Sequence, residues 1–111
     1  MYMCAIAGVI DLPISAQVKS KMLRTMRNRG PDEGGSHLEN GCMLLHSRLI
    51  IIDPDGGKQP MHVEHNGKKY TMIYNGELYN TDEIRKELVL KGHRFNGHSD
   101  TEVVLHADAQ W

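Results

Sequence analysis

Apolar positions along the chain fall in short runs separated by glycine, proline and asparagine–glycine pairs. Residues 3–11 are small or β-branched, with Ile6, Val9 and Ile10, and predict a buried strand. Leu12-Pro13-Ile14 ends it, because proline has no N–H for a central ladder. Ser15 reads as the N-cap of a helix. Val18, Met22 and Met26 recur at every fourth position with Leu23 alongside, and Lys19, Lys21, Arg24 and Arg27 take the other faces. Glycine and proline stop it near Asn28-Arg29-Gly30-Pro31, where the basic last turn complements the helix dipole. Residues 30–41 predict a glycine-rich loop or a loose hairpin. Residues 42–53 are nearly continuous in apolar character except at His46, Ser47 and Arg48, and predict one or two strands. A turn follows at residues 53–57. Residues 61–65 and 68–75 predict a hairpin across Asn66-Gly67, the pair that a type I′ turn prefers. Residues 82–91 predict a short helix with Ile84 and Leu88 inward, closed by Gly92. Ser99 and Glu102 have capping-box spacing ahead of Val103, Val104 and Leu105. The helix they open is expected to be cut off at Trp111 in mid-element.

Composition narrows the class. The 111 residues suit one small α+β domain of short elements and tight turns, with Gly 11 and Pro 4. Lys+Arg is 13 and Asp+Glu 14, a net charge of −1, which argues against nucleic acid or an anionic membrane as partner. The longest apolar run, residues 49–52, is far below the roughly 20 residues that cross a bilayer. Residues 1–10 lack a cationic region, so no signal peptide is expected. Cys4 and Cys42 make no disulfide scaffold, and free thiols suit a reducing cytoplasm.

Five features carry candidate chemistry, each with a plainer reading beside it. Cys4 is either a small core hydrophobe or a nucleophile. If the chain began there, its own α-amine, with pKa about 7.7–8.0, would take the thiol proton. Cys42 has no such neighbour and reads as core. Asn75-Gly76 is a turn, or an oxyanion hole built from an asparagine side-chain N–H and an unobstructed glycine N–H. Arg48, in an apolar strand, is an edge residue or a bidentate clamp for a carboxylate. Asp100 is a first-turn helix acid or the partner of a ligand's ammonium. Among seven histidines, the pairs His62/His65 and His93/His98 lack a third ligand at metal spacing, so no metal is expected. No phosphate-binding glycine loop is present.

Read together and in order, these segments resemble one family. They are Met3-Cys4-Ala5-Ile6-Ala7-Gly8, Arg29-Gly30-Pro31-Asp32, His46-Ser47-Arg48-Leu49, Gly57-Lys58-Gln59-Pro60-Met61, Asn75-Gly76-Glu77-Leu78-Tyr79-Asn80 and Ser99-Asp100-Thr101-Glu102-Val103. They are similar to the glutaminase domain of glutamine-hydrolysing asparagine synthetases. The resemblance covers nearly the whole chain. It implies an N-terminal-nucleophile hydrolase fold, an α-β-β-α sandwich of antiparallel sheets, with residues 1–111 as its N-terminal portion. It implies hydrolysis of glutamine to glutamate and ammonia in the cytoplasm, in service of asparagine biosynthesis. Cys4 is then the nucleophile, and Asn75 and Gly76 hold the oxyanion. Arg48 pairs with the substrate carboxylate, Asp100 and the Glu77 region hold the ammonium, and Leu49, Ile51 and Ile52 line the pocket. The expected partners are glutamine, a C-terminal synthetase domain that accepts the ammonia, and a second copy in a homodimer. ATP and Mg are expected only for that synthetase domain, with no cofactor in this chain.

The sequence departs from the family pattern in three respects. Met1-Tyr2 precede Met3, so Cys4 is not encoded as the second residue. Ala5 stands where the family has glycine. The family domain is nearly twice as long, which leads one to expect a fragment with an inactive or binding-only form as the alternative function.

Overall fold

The computed structural model describes residues 4–50 and 57–111. The expected lining residues Ile51 and Ile52, the turn at 53–57 apart from Gly57, and Met1 to Met3 lie outside them.

A three-stranded antiparallel sheet is built from β1 (Ala5–Ile10), β2 (Glu33–Glu39) and β3 (Cys42–Arg48), with β3 in the centre. The predicted N-terminal strand forms, but at an edge. Its burial alternates, with Ile6, Gly8 and Ile10 exposed, so the apolar run marks a one-sided strand and not a fully buried one. The glycine-rich segment resolves to its hairpin alternative. Glu39 pairs with Cys42, leaving Asn40 and Gly41 as a two-residue turn with φ of 49° and 77°. Gly34 and Gly35 are thereby strand residues. Gly35 is there because a Cβ would collide with the Gln59 carbonyl.

Between β1 and β2 runs α1 (Ala16–Met26), capped by the Ser15 hydroxyl, which accepts from Val18 N–H. It packs on β3, with Met22, Leu23 and Met26 half-buried. None of its side chains is fully buried, and Val18 is exposed.

The second sheet is the predicted hairpin, β4 (Met61–His65) and β5 (Lys68–Met72). Asn66 and Gly67 have φ of 50° and 76°, as the turn requires. The strand was expected to reach residue 75; it stops at Met72 because side chains, not a strand, take the Tyr74 backbone. The two sheets meet where His37 of β2 lies edge-on to His62 of β4, 4.8 Å between centroids.

Two helices complete the chain, α2 (Thr81–Leu90) and α3 (Asp100–Gln110). α2 ends at Leu90 with Lys91 as its cap, and Gly92 follows with a φ of 96°, a left-handed helix stop. Its Leu88 is wholly buried and Ile84 half-buried. α3 packs on β4, β5 and α2 and carries the densest core, Val103 and Leu105 among them. Only half of its capping box forms. Ser99 accepts from Glu102 N–H, but the Glu102 carboxylate turns away to accept from Asn96 and Gly97 N–H, at 2.5 and 2.9 Å. It closes the loop before the helix. The fold is thus a small α+β arrangement of antiparallel sheets and helices.

Candidate active site

The end of β3 organises the site. Cys4, one residue ahead of β1, lies beside the residue that follows β3. Leu49 N–H donates to Cys4 Sγ at 3.3 Å, and the thiol points back to the Leu49 carbonyl at 3.7 Å. Ala5 lies in the β1 ladder opposite Ser47, and it is not among the positive-φ residues. A Cβ after Cys4 therefore imposes no backbone strain.

Arg48 is the last residue of β3, 4% exposed. Its Nη1 donates to Glu33 Oε2 at 2.9 Å, across the register pair Glu33–Arg48. It makes further interactions as well. Lys58 approaches the other Glu33 oxygen at 3.8 Å. The guanidinium thus grips an internal carboxylate, a partner that the sequence did not reveal. Close behind lies the Arg29-Gly30-Pro31-Asp32 turn. Ser47 donates its hydroxyl to the Gly30 carbonyl, and a Cβ on Gly30 would overlap the Ser47 backbone. Asp32 accepts from Ile50 N–H at 2.7 Å, and its own N–H donates to the Arg48 carbonyl at 2.9 Å. These bonds fix the chain just past the guanidinium.

Asn75, Gly76 and Glu77 are exposed, on a loop pinned from three sides. His46 Nε2 donates to the Tyr74 carbonyl at 3.2 Å. Gln59 Oε1 accepts from Tyr74 N–H at 2.6 Å. Asp100 accepts from Leu78 N–H at 3.1 Å. Asp100 therefore does more than complement its own helix dipole. A Cβ on Gly76 would stand 2.9 Å from the Tyr74 hydroxyl, so the Tyr74 ring would have to shift to admit one.

The electrostatics divide. Burial, then the Arg48 charge, hold His46 below its ordinary pKa against the Tyr74 bond and Glu33, so it donates as a neutral ring. The Tyr74 phenol is pushed up by burial, then by the Asp100 and Glu77 carboxylates. One side of the loop therefore faces the Asp100 and Glu77 carboxylates, while at the end of β3 the Arg48 charge is balanced by Glu33.

The histidines picked out by spacing find partners on other elements. His62 bonds Thr71 on β5, and His65 stacks on His93 at 4.3 Å. His93 Nδ1 meets His106 Nδ1 at 2.8 Å. Sequence spacing could not show this cluster, because it joins β4, the α2–α3 connection and α3. No group of three or more His, Cys, Asp or Glu residues among the described residues is arranged to hold a metal ion. No helix among them is long and apolar enough to cross a membrane.

The chain belongs to the glutamine amidotransferase domain family, which it matches over residues 3–111. Among the curated proteins it is similar to asparagine synthetase (glutamine-hydrolysing) 3 of Bacillus subtilis, 44% identical over 98% of this chain. It is 39% identical over 92% of its length to asparagine synthetase (glutamine-hydrolysing) 2 of Oryza sativa subsp. japonica, and equally to the enzyme of Zea mays. The matched stretch is in the N-terminal part of these proteins. The chain spans less than a fifth of the length of each of these three.

Proposed function

We propose that this chain carries out the glutaminase half-reaction, the hydrolysis of glutamine to glutamate and ammonia, with Cys4 as nucleophile. The observation that supports it most is that the end of β3 contacts both Cys4 and the Asn75 loop, and that α3 holds the same loop. Cys4 contacts Leu49, His46 holds the peptide ahead of Asn75-Gly76, and Asp100 holds Leu78. A zwitterionic amino acid needs one fixed cation and one fixed anion, which Arg48 and Asp100 supply. The Arg48 guanidinium, oriented by Glu33, pairs with the glutamine α-carboxylate. Asp100 and the Glu77 region take the α-ammonium, and Leu49, with Ile51 and Ile52, lines the pocket.

In this reading the Cys4 α-amine accepts the thiol proton as Sγ bonds to the side-chain amide carbon. Asn75 and the Gly76 N–H hold the oxyanion. The amine returns the proton to the departing nitrogen, ammonia leaves, and water attacks the γ-glutamyl thioester with the amine again as base. The step requires an unblocked amine, so residues 1–3 must be removed. The fold we propose is the N-terminal-nucleophile sandwich, with further sheet and helix beyond residue 111. A C-terminal synthetase domain using ATP and Mg would receive the ammonia. The acceptor by similarity is aspartate, and the setting cytoplasmic. A homodimer is the proposed assembly.

The sequence ahead of Cys4 favours a second reading, an amino-acid-binding form that does no chemistry. Intact mass on protein from its natural gene separates the two, taken before and after an electrophilic glutamine analogue. Loss of Met1-Tyr2-Met3 and one adduct on Cys4 are expected. A full-length mass without adduct would refute the glutaminase reading.

A further inference from the structure

We propose that Gln59 is a positioning residue, whose side-chain amide grips the Tyr74 peptide and so sets the donors at Asn75 and Gly76. This rests on the glutaminase reading of those two residues.

Tyr74 follows the end of β5 and pairs with no strand among the described residues. Its part-buried peptide groups still need partners. Two side chains supply them. The N–H goes to Gln59 Oε1 at 2.6 Å, and the carbonyl accepts from His46 Nε2 at 3.2 Å. Both soft dihedrals of Tyr74 are then constrained immediately before Asn75.

Gln59 is itself held at both ends. Its Nε2 donates to Thr101 Oγ1 at 3.4 Å, in the first turn of α3, beside the Asp100 that binds Leu78. The Tyr74 N–H can only donate, and this fixes which way round the amide lies, with the Thr101 hydroxyl free to accept from the other end. Its main-chain carbonyl sits where Gly35 leaves room for it. Gln59 therefore links the three-stranded sheet, α3 and the Asn75 loop, with both ends of its amide engaged within the protein. Oxyanion donors act only when they meet the developing charge, and a misplacement of about 1 Å costs on the order of 10²-fold in rate.

The test compares the wild-type protein with Gln59→Met and Gln59→Glu. Methionine keeps the length and removes both bonds. Glutamate keeps an oxygen for Tyr74 N–H, and the Thr101 hydroxyl turns to donate to the other. Gln59→Met is expected to lower kcat for glutamine roughly 10- to 100-fold with KM within about threefold, and Gln59→Glu to recover most of it. Amide exchange in the same samples reads geometry without turnover. Tyr74 should exchange at least about tenfold faster in Gln59→Met, with Leu45 in β3 unchanged. Should Gln59→Met lose Leu45 protection, Gln59→Asn is read in its place with the same expectation, since its amide falls short of Tyr74. Unchanged kcat, or a rise in KM matching any loss of kcat/KM, would overturn the proposal. So would Tyr74 exchange like wild type. A wild-type protein that releases no glutamate would instead defeat the glutaminase reading, and Tyr74 exchange alone would then decide the grip of Gln59.

Discussion

His106 makes the protein's stability depend on acid in a calculable way. The ring is 6% exposed on α3, with His93 on its Nδ1, Phe95 against its face, and His65 and Arg85 nearby. Burial, then the neighbouring His93, His65 and Arg85, push its pKa from 6.5 to about 4. Glu102 lies 3.8 Å from Nε2, which favours the charged ring. Its oxygens are already engaged by Asn96 and Gly97 N–H, so burial prevails. The unfolded chain binds this proton near pH 6.5 and the folded chain near pH 4. Stability is therefore full above about pH 6.5 and falls as the pH drops toward 4. The whole shift corresponds to about 3 kcal/mol, a sizeable share of the ~5–15 kcal/mol that holds a small domain. Between pH 7 and pH 5 the loss is about 2 kcal/mol. His106→Asn keeps a donor toward His93 and cannot titrate. Urea unfolding followed by circular dichroism should show the wild type losing about 2 kcal/mol more than the variant over that interval. His46, also held low, contributes equally to both and cancels. A difference below about 0.5 kcal/mol would refute the assignment of that proton to His106.

Three further outcomes are expected. Gly30→Ala places a methyl on the Ser47 backbone and should cost about 2–4 kcal/mol, read as a fall in Tm. Asp100→Asn keeps an acceptor for Leu78 N–H but removes the charge; glutamine KM should rise roughly tenfold with Tm nearly unchanged. Asn75→Ala, on an exposed loop, should lower kcat for glutamine about 10²-fold and leave Tm within a degree or two of wild type.

Local chemistry was legible in the sequence wherever a few neighbouring residues decide the outcome. Asn66-Gly67 specified its turn because both positions need positive φ, and Ser99 announced α3 because its hydroxyl caps the third N–H on. The same logic was available at Asn40-Gly41, but Gly34 and Gly35 obscured β2. Those glycines obey a distant demand, since the Gln59 carbonyl passes where Gly35 would carry a Cβ. Glu102 kept the spacing of a capping box yet bonded Asn96 and Gly97, because a buried carboxylate beside two loop N–H groups does better there. Candidate residues were legible as types: a charged Arg48 in an apolar strand, an Asn-Gly after another, an acid opening a helix. Their partners were not. Glu33 meets Arg48 only through strand register, and the His65–His93–His106 contacts need three elements docked.

The three-sided hold on the Asn75 loop has a consequence for the order in which a ribosome delivers the chain. Cys4 emerges first, then His46 and Gln59, then the loop itself, and Asp100 last. Domains synthesised from the N-terminus fold as their parts become available. The thiol is thus made long before the loop can be fixed by α3. Only when α3 docks does the final restraint close, so the loop is fixed by a segment made after it, not by the one that carries the nucleophile.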